Sequence, residues 1–236
     1  MPVLPELTSL HASSIIYKKP IDLPTFIAYE PIIIRAPPKT DLWRQPPDID
    51  NHNAPTRLIH IPINIHKFRS ARVTVTVGAN WDTRYDQAGL VLFKFTPGVD
   101  HPVPWLKTGI EIFDEPLAMS VATSRSSDSA KVPSVKDGQV TIQLERQLKD
   151  GKKNESLWVN IVDKETGRTK EVRQVTCWFA NDIPSPNEKI SKETLDNRYL
   201  LIGVYAARPL IPEGPGRENE ELVARLEGLE VKLFDD

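Results

Sequence analysis

Two neighbouring segments of the chain carry side chains suited to holding a polar ligand. Trp105, Lys107 and Glu111 occupy odd positions in one segment, and Gln87 lies in the segment before it. Because alternate residues of a β-strand share one face, the first three would point to the same side, and the mostly apolar even positions would face the core: Leu90, Leu106, Thr108, Ile110 and Ile112. An indole ring packs against the apolar face of a sugar, while an ammonium, a carboxylate and an amide bind hydroxyl groups. The pattern predicts a groove that binds a polar ligand.

Gly89 and Gly109 lie on the same predicted face. Glycine removes side-chain bulk, so we expect something to approach the backbone closely at these positions. The alternative is a half-solvated sheet in which Lys107 and Glu111 face water and Trp105 packs at an edge, since antiparallel sheets commonly have one wet face. The residue pattern leaves both interpretations open.

Glu111 also raises the question of acid and base catalysis. Retaining glycoside hydrolysis needs two carboxyl groups roughly 5 Å apart. In an extended strand Glu111 and Asp114 face opposite sides, and the Cα atoms of Glu111 and Glu115 would be about 13 Å apart. Asp86 or an acid from another strand remains a partner for Glu111. The spacing disfavours typical glucanase chemistry, and an enzyme with Glu111 as general acid or base and Lys107 tuning its pKa is the alternative to binding.

Two further tryptophans are candidate platforms for a sugar ring. Trp43 lies in the segment 41–47, which we predict to be a surface turn. Trp178 lies in the segment 175–179, where the odd residues are apolar, so we expect Cys177 to be a buried structural thiol and Trp178 to face the groove. The alternative for each tryptophan is ordinary packing in the core or at an edge.

No strong motif for a metal or a cofactor occurs in the sequence. His60 and His66 share a strand face only if Pro62 does not interrupt the strand, and the five histidines include no strong metal-ligand spacing. The chain has no Gly-x-Ser-x-Gly elbow, no phosphate-binding glycine loop and no Cys-x-x-Cys. We therefore expect neither a metal site nor a cofactor.

The composition argues against several classes of protein. Its 30 basic and 32 acidic residues leave a net charge of −2, so no cationic field attracts nucleic acid or anionic lipid. The single cysteine has no partner for an intramolecular disulfide, and the N-terminal residues lack the order of a secretory signal. The apolar runs are shorter than a membrane-spanning helix requires. These features predict a cytoplasmic protein with no nucleic acid and no membrane as partner.

About ten short segments have the alternating or β-branched pattern of strands and are joined by turns such as the one predicted at 96–100. Prolines crowd the first 70 residues and predict edge strands and loops, and the one helix of any length is expected at 218–226. We predict a single all-β domain over 1–236, an antiparallel sandwich with few short helices. Its predicted parts are proline-rich strands and wrapping loops at 1–57, the sandwich core at 58–211, and a C-terminal loop, short helix and closing strand at 212–236.

Five motifs occur in an order that resembles one protein family. They are Asp41-Leu42-Trp43-Arg44, Tyr85-Asp86-Gln87-Ala88-Gly89-Leu90, Trp105-Leu106-Lys107-Thr108-Gly109-Ile110-Glu111, Ser120-Val121-Ala122-Thr123 and Gly203-Val204-Tyr205-Ala206-Ala207-Arg208-Pro209. Over most of residues 25–234 the chain resembles the regulation-of-enolase protein family. The resemblance implies a concanavalin A-like jelly roll of two sheets, whose concave face would carry Gln87, Lys107 and Glu111.

We therefore expect a cytoplasmic jelly-roll protein that binds a carbohydrate or a sugar-derived metabolite in a concave groove. Its predicted ligand-binding residues are Gln87, Trp105, Lys107, Glu111, Trp178 and Trp43. One alternative is an enzyme that acts on a small glycosidic or keto-sugar substrate, with Glu111 and Lys107 as its catalytic candidates. The family resemblance adds another, a protein that regulates a metabolic enzyme by binding to it.

Overall fold

The computed structural model describes residues 25–45, 48–59, 62–96, 103–123, 127–132, 138–180 and 197–235. Most of the turn predicted at 96–100 and the histidine at position 60 lie outside these ranges. The strands of the described ranges are β1 (Thr25–Ile27), β2 (Ile32–Ala36), β3 (Leu42–Gln45), β4 (Ile49–His52), β5 (Thr56–Leu58), β6 (Ile63–Asn64), β7 (Phe68–Thr76), β8 (Gln87–Phe95), β9 (Trp105–Ile112), β10 (Pro116–Thr123), β11 (Ser127–Val132), β12 (Gln139–Lys149), β13 (Lys152–Val162), β14 (Thr169–Val175), β15 (Tyr199–Ala207) and β16 (Leu222–Leu233).

Two antiparallel sheets pack face to face. The first has the order β1-β16-β7-β12-β13-β14, with β2 also paired to β16. The second has the order β11-β10-β9-β8-β15-β5, with β6 also paired to β15. The small hairpin β3-β4 forms a third sheet. The predicted concanavalin A-like jelly-roll sandwich is confirmed, and the part of the chain that the structure describes contains no helix that could cross a membrane.

The space between the two sheets is filled by the apolar faces of alternating strands. Val73 and Val75 of β7 lie opposite Ile142 and Val140 of β12, and all four are buried. The corresponding face of the second sheet contributes residues of even number from β8 and β9, as the alternation predicted. They are Ala88, Leu90, Leu92, Leu106, Ile110 and Ile112.

The two glycines of the β8-β9 hairpin lie directly opposite each other. A Cβ atom added to Gly109 would lie 1.9 Å from the carbonyl oxygen of Ala88 and 2.7 Å from the Cα of Gly89. A Cβ atom added to Gly89 would lie 1.9 Å from the carbonyl oxygen of Thr108. Something does approach the backbone at these positions, as expected, and it is the backbone of the paired strand.

Three local predictions are wrong. The segment 218–226 is not a helix, because β16 begins at Leu222 and pairs with β2 and β7. The segment 41–44 is largely strand β3, and its Leu42 is buried. Cys177 is exposed because β14 ends at Val175 and the next residues form a turn, in which Cys177 has a φ of 57°. The alternation on which its predicted burial depended stops two residues earlier.

The Gly109→Ala substitution is expected to destabilise the protein by more than about 3 kcal/mol, because the added methyl group would overlap the paired backbone. Gly151→Ala is the matched control. Gly151 has a φ of 73° and no atom within 4 Å of an added Cβ, so its cost is backbone strain alone, roughly 1–2 kcal/mol. Equilibrium urea unfolding measures both values. Equal losses in the two variants would contradict the close approach of the strands.

Candidate functional site

The face of the second sheet that points away from the main core forms the floor of the candidate site. Along this face Gln87 of β8 lies between Glu111 of β9 and Ala207 of β15. One row further, Gly89 lies between Gly109 and Tyr205. No side chain rises from these two adjacent positions, and we call this bare part of the floor the hollow.

The β3-β4 hairpin covers this floor. Leu42 joins Val91, Phe93 and Trp105 of the sheet in a second hydrophobic cluster, separate from the main core. This contact attaches the hairpin to the sheet. It also explains why the predicted surface turn is a packed element.

Asn53 closes the base of the hairpin. Its side-chain amide donates to the carbonyl of Lys39 at 2.8 Å, and its Oδ1 accepts from the backbone N–H of Asp41 at 2.8 Å. The backbone N–H groups of Asn53 and Ala54 both donate to the carbonyl of Asp41. These bonds fix the start of β3, and they determine where the Asp41 carboxyl lies.

Lys107 lies in the hollow of the floor and is 1% exposed. Its Nζ donates to Oε1 of Gln87 at 2.6 Å and lies 4.0 Å from Oδ1 of Asp41. The same atom lies 5.7 Å from the ring centroid of Trp43 and 5.9 Å from those of Trp105 and Tyr205. A buried ammonium is stable only when it is paired and solvated by polar groups, and here an amide, a carboxylate and three aromatic rings provide that environment.

The side chain of Gln87 links the groups of the site. Its Nε2 donates to the carbonyl of Tyr85 and to Oδ1 of Asp41, both at 3.3 Å. Its Oε1 accepts from Lys107 and, at 3.3 Å, from the hydroxyl of Tyr205. Both ends of the amide are therefore used, and these bonds fix its orientation.

Two acids flank the ammonium. Burial raises the pKa of the Asp41 carboxyl, the nearby Lys107 lowers it, and the charge of Glu111 raises it again, so that the pKa of Asp41 lies above its ordinary value. Burial and the charges of Glu111 and Asp41 likewise raise the pKa of the Tyr205 hydroxyl. Asp41, which directly precedes β3, is thus close enough to Glu111 for the charge of Glu111 to affect its pKa.

Asp86, the other partner considered for Glu111, has a different role. It precedes Gln87 and points to the opposite side, where Arg208 binds it through Nε at 2.9 Å and Nη2 at 2.7 Å. The guanidinium also donates to the carbonyls of Asn80 and Glu220. Burial raises the pKa of the Asp86 carboxyl, and Arg208 opposes that rise. This ion pair is structural, and it holds the start of β8 against the end of β15.

The structure brings together five of the six residues predicted to bind ligand: Trp43, Gln87, Trp105, Lys107 and Glu111. Trp178 does not join them. It is buried between the two sheets, where its carbonyl accepts a hydrogen bond from Lys94, because the turn after β14 directs its ring into the core. Sequence reasoning missed Asp41 and Tyr205. The odd-number alternation of Gly203, Tyr205 and Ala207 was a usable signal for Tyr205, and the motif that begins at Asp41 was the signal for Asp41.

Within the described part of the chain, no group of three or more His, Cys, Asp or Glu side chains is placed to hold a metal ion. The site chemistry that the geometry offers is therefore that of one ammonium, two carboxyls, an amide, a phenol and two indole rings. These groups are hydrogen-bond donors, hydrogen-bond acceptors and aromatic faces.

The fold and this site define a two-sheet sandwich with a polar and aromatic cluster on the face of the second sheet that points away from the main core. The chain belongs to the family described as "Protein of unknown function (DUF1349)", whose family model matches residues 26–213. An uncharacterized protein of Emericella nidulans, AN7484, is 32% identical over 204 residues, which cover 86% of each chain.

Solved structures with a similar fold share little sequence with this chain. LamAcat from Zobellia galactanivorans is 10% identical with a TM-score of 0.45, and the match covers 89% of this chain and 80% of that one. A structure from a study of endo-acting O-glycanases of the human gut microbiota is 14% identical with a TM-score of 0.41, and the match covers 71% of this chain. The chain spans only 57% of that protein's length.

Asp41→Asn is expected to make the protein more stable at neutral pH. The pKa of Asp41 in the folded protein lies above 3.8, the ordinary value that the unfolded chain has. Between these two pKa values the folded protein holds a proton that the unfolded chain has released. The stability of the wild-type protein therefore falls as the pH rises through this range. The Asp41→Asn protein does not lose this stability, so its unfolding free energy increasingly exceeds that of the wild type from pH 3.8 upward, and the difference then levels off. Unfolding free energies of both proteins, measured across this range, test the prediction.

Asp82→Asn is the control with the opposite sign. Burial raises the pKa of Asp82, but hydrogen bonds and charge from Arg217 outweigh burial and lower it. The variant should therefore be less stable at neutral pH, with a loss that disappears on acidification. The same pH dependence in both variants would contradict the assignment of Asp41 as an acid with a raised pKa.

Proposed function

We propose that the concave cluster binds a carbohydrate or a carbohydrate-derived metabolite. The observation that supports this most is the buried Lys107, surrounded by Gln87, Asp41 and three aromatic rings on a face that is not the core of the sandwich. An apolar side chain would fill the same hollow without the cost of burying a charge. A costly polar cluster on one face of a rigid sandwich is typical of a functional site.

The ligand approaches this site from its more exposed side. Trp105 and Tyr205 have no exposed surface, whereas Trp43 is half-buried and the Asp41 side chain is 18% exposed. Of the two tryptophans considered as platforms for a sugar ring, Trp43 therefore fits this role and the buried Trp178 does not. Asp41 and Glu111 would accept hydrogen bonds from hydroxyl groups, and Lys107 would hold these acids and Gln87 in position from below.

Lys107→Met is expected to lower the affinity for a bound glycan at least tenfold, because it removes the charge that orders the acids and Gln87. Lys94→Met is the matched control. Lys94 is also a buried lysine with its ammonium near an indole ring, but it lies on the core side of β8 and donates to the carbonyl of Trp178. A glycan array identifies a ligand, and titration compares the proteins.

Both lysine variants are expected to lose stability, and only Lys107→Met is expected to lose affinity. The comparison therefore separates a binding role from general destabilisation. Equal affinities of the two variants, or no response of the wild-type protein to any sugar or sugar phosphate in an array and in a thermal-shift screen, would contradict the proposal.

A second candidate function is catalysis on a small glycosidic or keto-sugar substrate. It is favoured by the Asp41 carboxyl, whose pKa burial raises above its ordinary value, because a carboxyl that keeps its proton more readily can act as a general acid. If the protein is an enzyme, Glu111→Gln is expected to lower turnover roughly 100-fold or more. Mass spectrometry of a sugar mixture incubated with either protein detects the product, and binding without any product selects the first function.

The regulatory role and the cytoplasmic location stay predictions. The resemblance to the regulation-of-enolase family motivates the first, and the single cysteine motivates the second. Affinity capture of a metabolic enzyme from lysate tests the regulatory role. Capture that stays unchanged when the site carries an altered charge or is blocked by a glycan would separate the regulatory role from sugar binding.

A further inference from the structure

A second group of polar and aromatic side chains lies on the other side of the sandwich, on the outer face of the first sheet. Leu157 and Val159 of β13 are core residues, so Trp158 and Asn160, which alternate with them, point away from the main core. The paired strands β12 and β14 add polar side chains on the same face. We call five residues of this face the β13 strip: Gln143, Glu145, Trp158, Asn160 and Gln174.

Trp158 is the aromatic member of the β13 strip. It is half-buried, and in the pairing of the strands it lies between Glu145 of β12 and Gln174 of β14. An indole ring packs its apolar face against the C–H groups of a sugar and leaves polar neighbours free to bind the hydroxyl groups around them. A half-buried tryptophan between two polar side chains therefore offers a platform for a sugar ring.

Hydrogen bonds within the face hold the polar neighbours of the indole in place. On one side, Nε2 of Gln143 donates to Oε2 of Glu145 at 3.0 Å. On the other side, Nε2 of Gln174 donates at 3.0 Å to Oε1 of Gln147, which also accepts from the side-chain amide of Asn154 at 2.9 Å. Side chains that are already ordered lose less conformational entropy when a ligand binds.

Asn160 carries a buried polar atom that has no partner. The residue is 5% exposed, and its Oδ1 accepts no hydrogen bond from any residue that the structure describes. The register of β13 against β14 shifts between Val159 and Asn160, and such irregularities commonly direct a side chain beside a functional site. A buried carbonyl oxygen without a donor reduces stability. Its position in the β13 strip indicates that the donor comes from a bound molecule.

The chemistry of the β13 strip defines its ligand. Oδ1 of Asn160 and the carboxylate of Glu145 are acceptors, so they select a ligand that donates hydrogen bonds. Hydroxyl groups donate, whereas ionised phosphates and carboxylates only accept. The strip extends over three adjacent strands, which are about 10 Å apart from the first to the third, so it contacts an extended molecule.

We propose that the β13 strip binds a neutral polysaccharide chain, with one sugar ring stacked on Trp158 and a hydroxyl group donating to Oδ1 of Asn160. This surface and the candidate site lie on opposite sides of the sandwich, so binding at the strip does not depend on the proposed function.

Four linear neutral hexasaccharides serve as probes: cellohexaose, xylohexaose, mannohexaose and maltohexaose. NMR spectra of nitrogen-15-labelled protein follow the indole N–H of Trp158, which a spectrum of Trp158→Phe assigns. This signal reports binding at the β13 strip separately from binding at the candidate site. We expect it to shift and to saturate on titration with at least one probe.

Asn160→Leu removes the oxygen without a partner and keeps nearly the same volume. We expect it to weaken binding at the Trp158 signal at least roughly tenfold, with a urea midpoint equal to or above that of the wild type. Gln139→Leu is the matched control, about 13 Å from Gln143 on the same face of β12. The amide of Gln139 donates to Oγ1 of Thr76 and accepts from Nζ of Lys164, both at 2.8 Å. This control should lower the urea midpoint and keep the affinity.

The wild-type titration decides first. A Trp158 signal that stays in place with all four probes overturns the inference, and shifts confined to the Trp43 indole overturn it while leaving sugar binding at the candidate site intact. Equal affinities of Asn160→Leu and Gln139→Leu also overturn it. A saturating Trp158 signal that only Asn160→Leu weakens supports it, including the case in which Lys107→Met changes no affinity and the proposed function fails.

Discussion

The buried ion pair between Asp86 and Arg208 is the interaction on which the candidate site depends. Both side chains are completely buried, and two hydrogen bonds join them. Removing one partner of such a pair typically costs about 3–5 kcal/mol, because the other charge remains buried without compensation. The pair fixes the start of β8 against the end of β15. Since Gln87 follows Asp86 and strand residues alternate, the same pair determines where the Gln87 amide meets Lys107 and Tyr205.

The site combines this rigid support with features that reduce stability. Asp41 has a raised pKa, which means that folding places its charge in unfavourable surroundings. Lys107 is buried in a hollow that exists because Gly89 and Gly109 carry no side chains. Charged groups held in surroundings that reduce the stability of the folded protein are a common mark of function. The sandwich tolerates them because its main core lies on the other side of the sheet.

The alternation of residues predicted the faces of the central strands correctly. Leu90, Ile110 and Ile112 are in the core, while Lys107 and Glu111 are on the opposite face, because a strand with period two allows only these orientations. The same reasoning was wrong for Cys177 and Trp178. It assumed that β14 continues, and the position where a strand ends depends on pairing with its neighbour more than on its own residues.

The sequence by itself determined an all-β sandwich, the core face of its central hairpin and most residues of the candidate site, because alternation and turn residues act over short stretches of chain. Only the tertiary structure decided that Asp41 joins Lys107, since the β3-β4 hairpin is held over the outer face of the second sheet by contacts between residues far apart in sequence. It also decided which acid is the neighbour of Glu111. Burial and the charges contributed by distant strands exist only after the chain has folded, and they set the pKa of Asp41 and the charge that a ligand meets.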